Sequence, residues 1–428
     1  MEIRHPNTSS ETQRLYALFE RYPAVVTDSR RACGGTLFFA LKGERFDGNR
    51  FARAALEAGA ACAVVDDPQI AAEADSGRIV IVDDALEALQ ALAREHRRRL
   101  GIPLIAIAGS NGKTTTKELI GRVLAKKYEV CATQGNLNNH IGVPLTLLSM
   151  TRDTEIGVVE MGASACGEIA RLCAIAEPDC GLLTNVGLAH LEGFGGAEGV
   201  RRGKGELYDY LAATGGRAFV RRDDPTLAEM AAERSRLTVE FYDSAIADGV
   251  PHALAGEFNR PNIAAAMAVG RRFGVGERSI REAVASYRPD NHRSQRMRTA
   301  RRTLIVDCYN ANPSSMQAAL ANLSDEPHAG GKAAVLGDML ELGAWSRTEH
   351  RAAIEQALAG GVDRLWLVGR EFARAWHSLE KPDVRVRLFE SCDAAIAACD
   401  DSAFEGMLVL VKGSHGIGLE RLAERLAR

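Results

Sequence analysis

The stretch 103–117, PLIAIAGSNGKTTTK, constrains the fold of this chain more than any other part of it. Residues 104–108 form a short apolar run that predicts a buried strand, and the next four residues predict a turn that tolerates unusual backbone angles. An amphipathic helix is predicted to begin at Lys113. This order places backbone N–H groups and the positive end of a helix dipole around one small concavity, which suits a polyphosphate.

The turn has the form of a compressed phosphate loop. The usual P-loop has four residues between its glycines, whereas here only Ser110 and Asn111 separate Gly109 from Gly112. Ile107 stands where the earlier glycine is expected. A chance match is the alternative interpretation, but the flanking strand and helix both favour a nucleotide site.

The side chains of this loop predict a nucleoside triphosphate and Mg²⁺ as ligands. We expect the Lys113 ammonium to neutralise the β- and γ-phosphates and the Thr114 hydroxyl to ligate Mg²⁺. The predicted nucleotide-binding residues of the loop are Gly109, Ser110, Asn111, Gly112, Lys113, Thr114 and Thr115.

Length and composition set broad limits on the class of protein. A chain of 428 residues predicts two or three domains, and 46% hydrophobic and 25% charged residues are typical of an ordinary soluble α/β protein. The net charge of −3 gives no reason to expect a nucleic-acid partner, and no apolar run is long enough for membrane insertion. Nine cysteines without a CxxC pair, and an N-terminus without an apolar core, predict the cytoplasm.

Residues 1–83 predict a small α/β unit with strands at 25–27, 37–41, 61–65 and 79–82 and a helix at 49–58. Two polar clusters, beginning at Asp28 and Lys42, each follow an apolar strand. Sheets of this class bind ligands at the carboxyl ends of their strands, which makes Ser29, Arg30, Lys42 and Gly43 candidates for contact with an anionic substrate. Ordinary solvated loops remain an equal alternative.

Two polar segments of the middle of the chain predict further parts of the site. Residues 135–144, GNLNNHIGVP, supply asparagine amides without charge, which suit amide or sugar groups but also favour ordinary turns. Asn138 lies in this segment. The predicted strand 156–160 ends in Glu160, and a carboxylate at a strand tip beside a phosphate loop is where Mg²⁺ is usually held.

A histidine and a lysine stand out after the next strand, predicted at 180–184. A lone histidine is more often structural, but His190 follows a central strand tip, which favours a role in the site. Lys204 lies between Gly203 and Gly205 in a predicted helix, where each glycine costs roughly 1 kcal/mol relative to alanine. Such a cost indicates close backbone approach to a ligand, with a tight packing contact or a surface ion pair as the alternatives.

The remainder of the chain predicts a linker and a third α/β unit. Asn259 and Asn262 flank the start of a helix, where their amides can reach a heterocycle. Residues 287–298 are polar and predict a linker. Strands are predicted at 303–307, 333–337, 364–368 and 408–411, and polar residues at their tips predict a ligand-facing edge: Asp307, Asn310, Lys412 and Ser414.

These pieces together resemble the Mur ligase family of cell-wall enzymes. The stretches GSNGKTT, VVEMG, AHLEGFG and GKGELYDYL match the family pattern. Six more are similar to the branch that adds D-alanyl-D-alanine to UDP-N-acetylmuramoyl-tripeptide: DSRRACGGTLFFALKGERFDGN, TQGNLNNHIGVPLTLL, HLEGFGG, DCYNANPSSM, LGDMLELG and VKGSHG. They span nearly the whole chain in the family's order.

The resemblance implies an α/β fold of three domains. These are a small α/β domain for the UDP-sugar at 1–83, a central P-loop ATPase domain with a mostly parallel sheet at 84–296, and a C-terminal Rossmann-like domain at 297–428. It also implies ATP-dependent amide synthesis through an acyl phosphate, in peptidoglycan precursor synthesis. We expect a monomer whose partners are UDP-N-acetylmuramoyl-tripeptide and D-alanyl-D-alanine.

By the same resemblance, catalysis falls to Lys113, Glu160, His190 and Lys204. Thr114 and Glu160 are expected to hold one Mg²⁺, and His190 with a carbamylated Lys204 a second. Further expected contacts are adenine at Asn259 and Asn262; the phosphates and ribose at Arg293, Asp307 and Asn310; uridine diphosphate at Ser29, Arg30, Lys42 and Gly43; the peptide stem at Asn138; and the dipeptide at Lys412 and Ser414.

The sequence departs from the family pattern at three points. His415 replaces a usual arginine, Gly203 replaces a usual alanine, and segment 236–252 is short. His415 and the short segment leave selection of the dipeptide undetermined. A tripeptide-forming or folylpolyglutamate ligase is one alternative function, and an inactive nucleotide-binding regulatory protein is another. The diamino acid at the third stem position depends on pocket shape and is not predicted.

Overall fold

The computed structural model describes residues 9–73, 77–254, 256–289, 295–379, 383–400 and 402–427. Three α/β units follow one another along the chain, and each is built on its own mostly parallel sheet. This confirms the predicted fold class. Within the described ranges, no helix combines the length and the apolar character that crossing a bilayer requires.

The N-terminal unit (9–81) has a four-stranded parallel sheet in the order β1-β2-β5-β6, beside a two-stranded ribbon of β3 and β4. Its helices are α1 (Ser9–Arg21), α2 (Ala52–Glu57) and α3 (Pro68–Glu73), and its strands are β1 (Ala24–Val26), β2 (Thr36–Phe39), β3 (Lys42–Gly43), β4 (Phe46–Asp47), β5 (Cys62–Val65) and β6 (Ile79–Ile81). Strands β2 and β5 are fully buried, which explains their continuous apolar sequence.

The central unit (85–286) has a six-stranded parallel sheet. Its helices are α4 (Ala85–Leu100), α5 (Lys113–Leu124), α6 (Gly142–Leu148), α7 (Glu168–Ala176), α8 (Leu191–Phe194), α9 (Ala197–Thr214), α10 (Pro225–Ala232), α11 (Arg260–Arg272) and α12 (Glu277–Ser286). Its strands are β7 (Leu104–Ala108), β8 (Val130–Ala132), β9 (Ile156–Glu160), β10 (Cys180–Leu183), β11 (Arg217–Arg221) and β12 (Thr238–Tyr242). Their order is β12-β11-β10-β7-β9-β8. Strands β8 and β9 lie on one side of β7 and β10 to β12 on the other, and such a switch in strand order opens a crevice at the carboxyl end of the strand.

The C-terminal unit (295–427) has a six-stranded sheet in the order β13-β14-β18-β15-β16-β17, parallel except for β13. Its strands are β13 (Gln295–Arg298), β14 (Thr303–Asp307), β15 (Lys332–Gly337), β16 (Arg364–Val368), β17 (Val386–Phe389) and β18 (Leu408–Lys412), and its helices are α13 (Pro313–Asp325), α14 (Ser346–Ala359), α15 (Arg370–His377), α16 (Cys392–Ala397) and α17 (Leu419–Ala427). The predicted linker 287–298 is therefore too long, because 295–298 form the antiparallel edge strand β13.

Helix α1, which the sequence analysis did not predict, packs on α4 and joins the first two units. Its Leu15 and Phe19 belong to the same buried cluster as Leu89 of α4. The Phe19 ring meets His96 of α4 edge-on at 4.8 Å, and the His96 Nε2 donates to the carbonyl of Met150 at 2.9 Å. The apolar core is thus continuous from α1 through α4 into the central unit.

Helix α4 begins at a side-chain cap, which gives a stability prediction. The Asp84 carboxylate accepts a hydrogen bond of 2.8 Å from the backbone N–H of Glu87. Asp84→Ala leaves that N–H without its partner and is expected to destabilise the protein by about 1 kcal/mol. The change is measured as a lower urea midpoint of the central unit. Asp83→Ala, a neighbouring exposed carboxylate outside the cap, serves as the control, and equal midpoints for both variants would contradict the prediction.

Candidate active site

The loop between β7 and α5 can be built only with glycine at two positions. Gly109 has φ +130°, and a Cβ there would lie 2.1 Å from Thr184 Oγ1. Gly112 has φ +79°, and its Cβ would lie 2.6 Å from Asn262 Oδ1. The loop is therefore pressed against neighbouring segments, with its backbone free of side chains at the entrance to α5.

Lys113 begins α5 and folds back over this loop. Its ammonium donates to the carbonyl of Gly109 at 2.8 Å and to the carbonyl of Ser110 at 3.1 Å. The loop is tied down from the other side, where the Thr184 hydroxyl donates to the carbonyl of Asn111 at 2.6 Å. A cation, a helix N-terminus and the backbone of a glycine-containing turn thus meet in one place, which suits an anionic ligand.

Glu160, at the end of β9, is buried and accepts two side-chain hydrogen bonds. The Thr114 hydroxyl donates to its Oε2 at 2.9 Å, and the Asn138 amide donates to its Oε1 at 2.8 Å. The two residues predicted to hold the first Mg²⁺ are therefore in direct contact. Asn138, predicted to bind the peptide stem, contacts this carboxylate, so its amide is already part of the same cluster.

His190 has a left-handed backbone, with φ +51°, and contacts Glu341 of the C-terminal unit, whose φ is +62°. Among the described residues four non-glycine residues have positive φ, and these two touch each other. A carboxylate only accepts, so His190 Nδ1 carries the proton that is donated to Glu341 Oε2, and a neutral ring keeps its lone pair on Nε2. This hydrogen bond lowers the pKa of Glu341.

Lys204, in α9, is fully buried. Its ammonium donates to the carbonyl of Ala163 at 2.9 Å and lies 4.8 Å from the centre of the Phe194 ring. Burial, and then the charge of Lys113, lower the pKa of Lys204 to about 7. The predicted alternative of a surface ion pair is wrong.

The acidic neighbours of Lys204 on α9 are engaged elsewhere. The Glu206 carboxylate accepts from the backbone N–H groups of Gly167 and Ala170, and Asp209 pairs with Arg234. Gly203 faces the Phe194 ring, and a Cβ at that position would lie 2.4 Å from the ring. Close packing of α9 against Phe194 is therefore the local reason for this glycine.

Asn259 and Asn262 lie at the start of α11, buried beside the phosphate loop. The Asn262 amide donates to Asn259 Oδ1 at 2.9 Å, and its own Oδ1 accepts from the Thr116 hydroxyl at 3.1 Å. Both asparagines line the cavity described below. Their predicted contact with adenine stays a prediction.

Lys412 and Ser414 hold the loops at the edge of the C-terminal sheet. The buried Lys412 ammonium donates to Asp307 Oδ2 at 2.5 Å and to the carbonyl of Asn310 at 3.2 Å. The Ser414 hydroxyl accepts from the backbone N–H of Leu340 at 3.0 Å. The atypical His415 stacks on the Tyr309 ring, with their centres 6.1 Å apart.

The central and C-terminal units enclose a cavity of about 960 Å³. The hydrogen bond of His190 with Glu341 joins the two units across this cavity, and two more do the same. The amide of Asn312, the N-cap of α13, donates to Asn111 Oδ1 at 2.8 Å, and the backbone N–H of Leu188 donates to Ser314 Oγ at 2.7 Å. The predicted site residues that line this cavity are Ser110, Asn111, Gly112, Lys113, Thr115, Asn138, Glu160, His190, Asn259, Asn262, Asp307, Asn310 and Lys412.

Other predicted site residues lie away from the cavity surface. Gly109, Thr114 and Lys204 stand just behind it, each hydrogen-bonded to a residue that lines it. Ser414 is bonded to Leu340, which precedes the lining residue Glu341. Arg293 lies outside the described residues. The four candidates for uridine diphosphate, Ser29, Arg30, Lys42 and Gly43, belong to the N-terminal unit.

In that unit the predicted cationic residues pair with nearby carboxylates. Arg30, largely exposed, makes a forked hydrogen bond to Asp28, and Lys42 pairs with Asp66 at 2.9 Å. The pairing with Arg30 lowers the pKa of Asp28 to about 2. These contacts neutralise the cluster within the unit itself.

Three residues at the junction of the units were missed by sequence reasoning: Asn312, Ser314 and Glu341. All lie in stretches that the sequence analysis quoted, DCYNANPSSM and LGDMLELG, without naming these positions. The signal was present, but an Asn-Pro-Ser-Ser sequence also caps a helix, and here Asn312 does cap α13.

No group of three or more His, Cys, Asp and Glu side chains with metal-ligand geometry occurs in the described part of the chain. Thr114 Oγ1 and Glu160 Oε2 lie 2.9 Å apart, and the proton on Nδ1 of His190 leaves its Nε2 as a further candidate donor. Hydroxyl and carboxylate oxygens are the ligand types that Mg²⁺ prefers, and it usually keeps several waters and substrate oxygens. The donor set fits this ion.

Three family models of the Mur ligases match the chain in succession. They are the "Mur ligase family, catalytic domain" at 21–97, the "Mur ligase middle domain" at 107–250 and the "Mur ligase, glutamate ligase domain" at 292–415. The UDP-N-acetylmuramoyl-tripeptide--D-alanyl-D-alanine ligase of Bacillus subtilis is 34% identical over 94% of this chain and 92% of its own length. The chain belongs to the Mur ligase family.

Two solved structures resemble this Mur ligase over nearly its whole length. A UDP-N-acetylmuramoylalanyl-D-glutamyl-2,6-diaminopimelate--D-alanyl-D-alanyl ligase from Acinetobacter baumannii has a TM-score of 0.81 at 29% identity, covering 99% of this chain and 98% of its own. A MurF ligase from Thermotoga maritima in complex with ADP has a TM-score of 0.80 at 28% identity, covering 96% and 98%. The predicted family and three-domain fold are confirmed.

Proposed function

We propose that this Mur ligase joins D-alanyl-D-alanine to UDP-N-acetylmuramoyl-tripeptide at the expense of ATP, in peptidoglycan precursor synthesis. The observation that carries the proposal is the cavity between the central and C-terminal units. It brings the phosphate loop, the Glu160 carboxylate and an asparagine-rich wall to one place, in a chain 34% identical to a ligase of that name.

The reaction proceeds in two displacements. A carboxylate oxygen of the tripeptide attacks the γ-phosphorus of ATP, ADP leaves, and an acyl phosphate forms. The amine nitrogen of the dipeptide then attacks the acyl carbon, phosphate leaves with the bonding electron pair, and the amine loses a proton. Neither step needs a nucleophilic side chain, because the protein's task in phosphoryl transfer is positioning and charge stabilisation.

The residues of the phosphate loop perform that task for ATP. Lys113 gives up its contacts with the carbonyls of Gly109 and Ser110 and offers the same ammonium to phosphate oxygens. The backbone N–H groups at the start of α5 orient the same phosphates. Asn259 and Asn262 hold the adenine, while Asp307 and Asn310 approach the ribose and phosphates from the other unit. Arg293 is a further candidate for the phosphates.

Two Mg²⁺ ions are proposed, and they neutralise the charge of the transferred phosphoryl group when bound. Thr114 and Glu160 hold the first, since their oxygens already lie 2.9 Å apart. His190 offers its Nε2 to the second, because Glu341 holds the proton on Nδ1. Lys204 completes that second site as a carbamate.

The carbamate of Lys204 follows from its surroundings. An ammonium next to a metal ion is repelled and has no lone pair to offer, whereas a carbamate supplies two anionic oxygens. Lys204 is buried behind the carbonyl of Ala163, with no carboxylate within ion-pair distance among the residues that the structure describes. The lowered pKa of Lys204 makes its neutral amine accessible. That amine attacks the carbon of CO₂ and releases one proton to give the carbamate; counted from the ammonium, two protons leave and a positive charge becomes a negative one.

The remaining substrate contacts are divided among the three units, from the N-terminal to the C-terminal. Ser29, Arg30, Lys42 and Gly43 bind the uridine diphosphate, with Arg30 and Lys42 exchanging their present carboxylate partners for phosphate. The peptide stem then runs along the asparagine-rich wall near Asn138. Lys412 and Ser414 shape the loops that receive the dipeptide.

We expect phosphate release to require both UDP-N-acetylmuramoyl-tripeptide and D-alanyl-D-alanine. The measurement is phosphate released from ATP with each of the four UDP-muramoyl ligase substrate pairs, with each substrate also omitted in turn. Equal release with free D-glutamate or a single amino acid would instead support a tripeptide-forming or folylpolyglutamate ligase. No release with any pair would support the inactive regulatory protein.

A further inference from the structure

One wall of the cavity is built from the asparagine-rich loop and the first turns of α7. Glu168 and Arg171 of α7 both line it. Glu168 is already engaged, since its Oε2 accepts from the backbone N–H groups of Ser164 at 2.7 Å and Ala165 at 3.3 Å. Arg171 therefore remains as the charged side chain that α7 offers to the cavity.

Arg171 is exposed to the cavity and held from one side only. Its guanidinium donates to the Gln90 Oε1 at 3.2 Å, and the buried Gln90 amide donates in turn to the carbonyl of His140 at 2.8 Å. Among the residues that the structure describes, no carboxylate lies within 4 Å of this guanidinium. Most of its five N–H donors thus face solvent in the cavity.

Arg97, an arginine of the same unit with a structural role, has a guanidinium whose partners differ from those of Arg171. Arg97 is buried and uses its guanidinium on the carbonyls of Ala176 and Glu177 and on the Asp179 carboxylate. Arg171 has one neutral partner, and its charge is left uncompensated by an ion pair. That charge acts on its surroundings: burial first, and then Arg171, lower the pKa of His140, another residue of the cavity wall.

We propose that Arg171 binds a carboxylate of the peptide stem of UDP-N-acetylmuramoyl-tripeptide. The proposal rests on the proposed function, which brings the stem past this wall. A planar guanidinium with free N–H donors matches a carboxylate by two parallel hydrogen bonds. A stem containing D-glutamate, or D-glutamate and diaminopimelate, carries carboxylates besides the one that reacts, and Arg171 discriminates stems by one of them.

The test compares steady-state constants of wild type, Arg171→Gln and Arg171→Lys. Hydrogen bonds to a charged group contribute enough that Arg171→Gln is expected to raise KM for the UDP-tripeptide about tenfold or more, with KM for ATP and for D-alanyl-D-alanine and kcat within about twofold of wild type. Arg171→Lys keeps the positive charge but cannot make two parallel hydrogen bonds. Its KM for the UDP-tripeptide is expected to lie between those of wild type and Arg171→Gln. Arg278→Gln, an exposed arginine of α12 paired with Glu282, is the control.

Two modified substrates identify the carboxylate. If the effect of Arg171→Gln disappears when the D-glutamyl carboxylate is amidated, that group is the ligand; if it disappears when lysine replaces diaminopimelate, the distal carboxylate is. An effect unchanged with both substrates, or an unchanged KM in a variant with the wild-type thermal midpoint, overturns the proposal. Wild-type enzyme that releases no phosphate overturns the proposed function itself, so the two failures are distinguishable.

Discussion

Lys204→Ala and Lys204→Arg are both expected to lose roughly a thousandfold in kcat, since an anionic metal ligand supplies several kcal/mol to the transition state. Arginine preserves the positive charge of a lysine but cannot form a carbamate. Equal loss in the two variants therefore distinguishes a carbamate from a simple cation. Full activity of Lys204→Arg would show that charge alone suffices and would exclude the carbamate.

Small carboxylates test the same point by adding back the missing group. Acetate or formate is expected to restore part of the rate of Lys204→Ala, because either ion can occupy the space of the carbamate beside Ala163. Neither should help a variant that retains Lys204. The carbamate itself is observable without turnover: protein incubated with ¹³CO₂ should give a carbamate carbon signal by NMR that Lys204→Ala lacks.

The position of Lys204 requires a control for folding. Its side chain fills a closed space between Ala163 and Phe194, so the longer arginine can disturb the packing of α9. The thermal unfolding midpoint of each variant is compared with wild type. Inactivity counts for the carbamate only in a variant whose midpoint is preserved. If Lys204→Arg fails this requirement, rescue of Lys204→Ala by acetate or formate distinguishes the carbamate from a cation.

Lys113→Ala is expected to reduce turnover by roughly 10²–10³-fold, the loss typical of removing one group that stabilises transition-state charge. The fold should be unaffected, because the side chain is only partly buried and its partners are backbone carbonyls of its own loop. The measurement is kcat for phosphate release with saturating tripeptide and dipeptide. Lys126→Ala, which removes an exposed lysine two residues beyond the end of α5, is the control.

Lys113→Ala also allows loss of a cation to be distinguished from loss of an anionic group. Acetate should not restore it, in contrast to Lys204→Ala, because the missing group is a cation. Near-normal turnover of Lys113→Ala in a folded protein would mean that the loop at 109–112 does not bind the transferred phosphate, and the assignment of the site would fail with it.

Many strands of the central and C-terminal sheets could be predicted, because buried parallel strands are continuous apolar runs in the sequence. Strands β7, β9, β14 and β16 have the bounds that the sequence predicts. The edge strand β12 was missed, since its sequence TVEFY is half exposed and mixed in polarity. Helix α1 was missed because its short apolar face becomes evident only when α4 is packed against it.

The parts of the candidate site that could be predicted are those formed by residues close together in the sequence. The phosphate loop is such a case, since one turn supplies the backbone and the cation together. The contact of His190 with Glu341 could not be predicted, because 150 residues separate the partners and neither position is a glycine that would mark its left-handed backbone. The burial of Lys204 likewise depends on Phe194, which belongs to another helix.

The contact between His190 and Glu341 couples two equilibria: binding of a cation to His190 and docking of the C-terminal unit on the central unit. Glu341 keeps the proton on Nδ1 of His190, yet it belongs to the C-terminal unit, so the central unit holds the histidine in this state only while the two units touch. A cation that binds His190 therefore favours the docked arrangement by a coupling free energy, and docking strengthens cation binding by the same amount. Occupancy of the proposed second metal site and docking of the C-terminal unit are in this way thermodynamically coupled, whichever of the two occurs first.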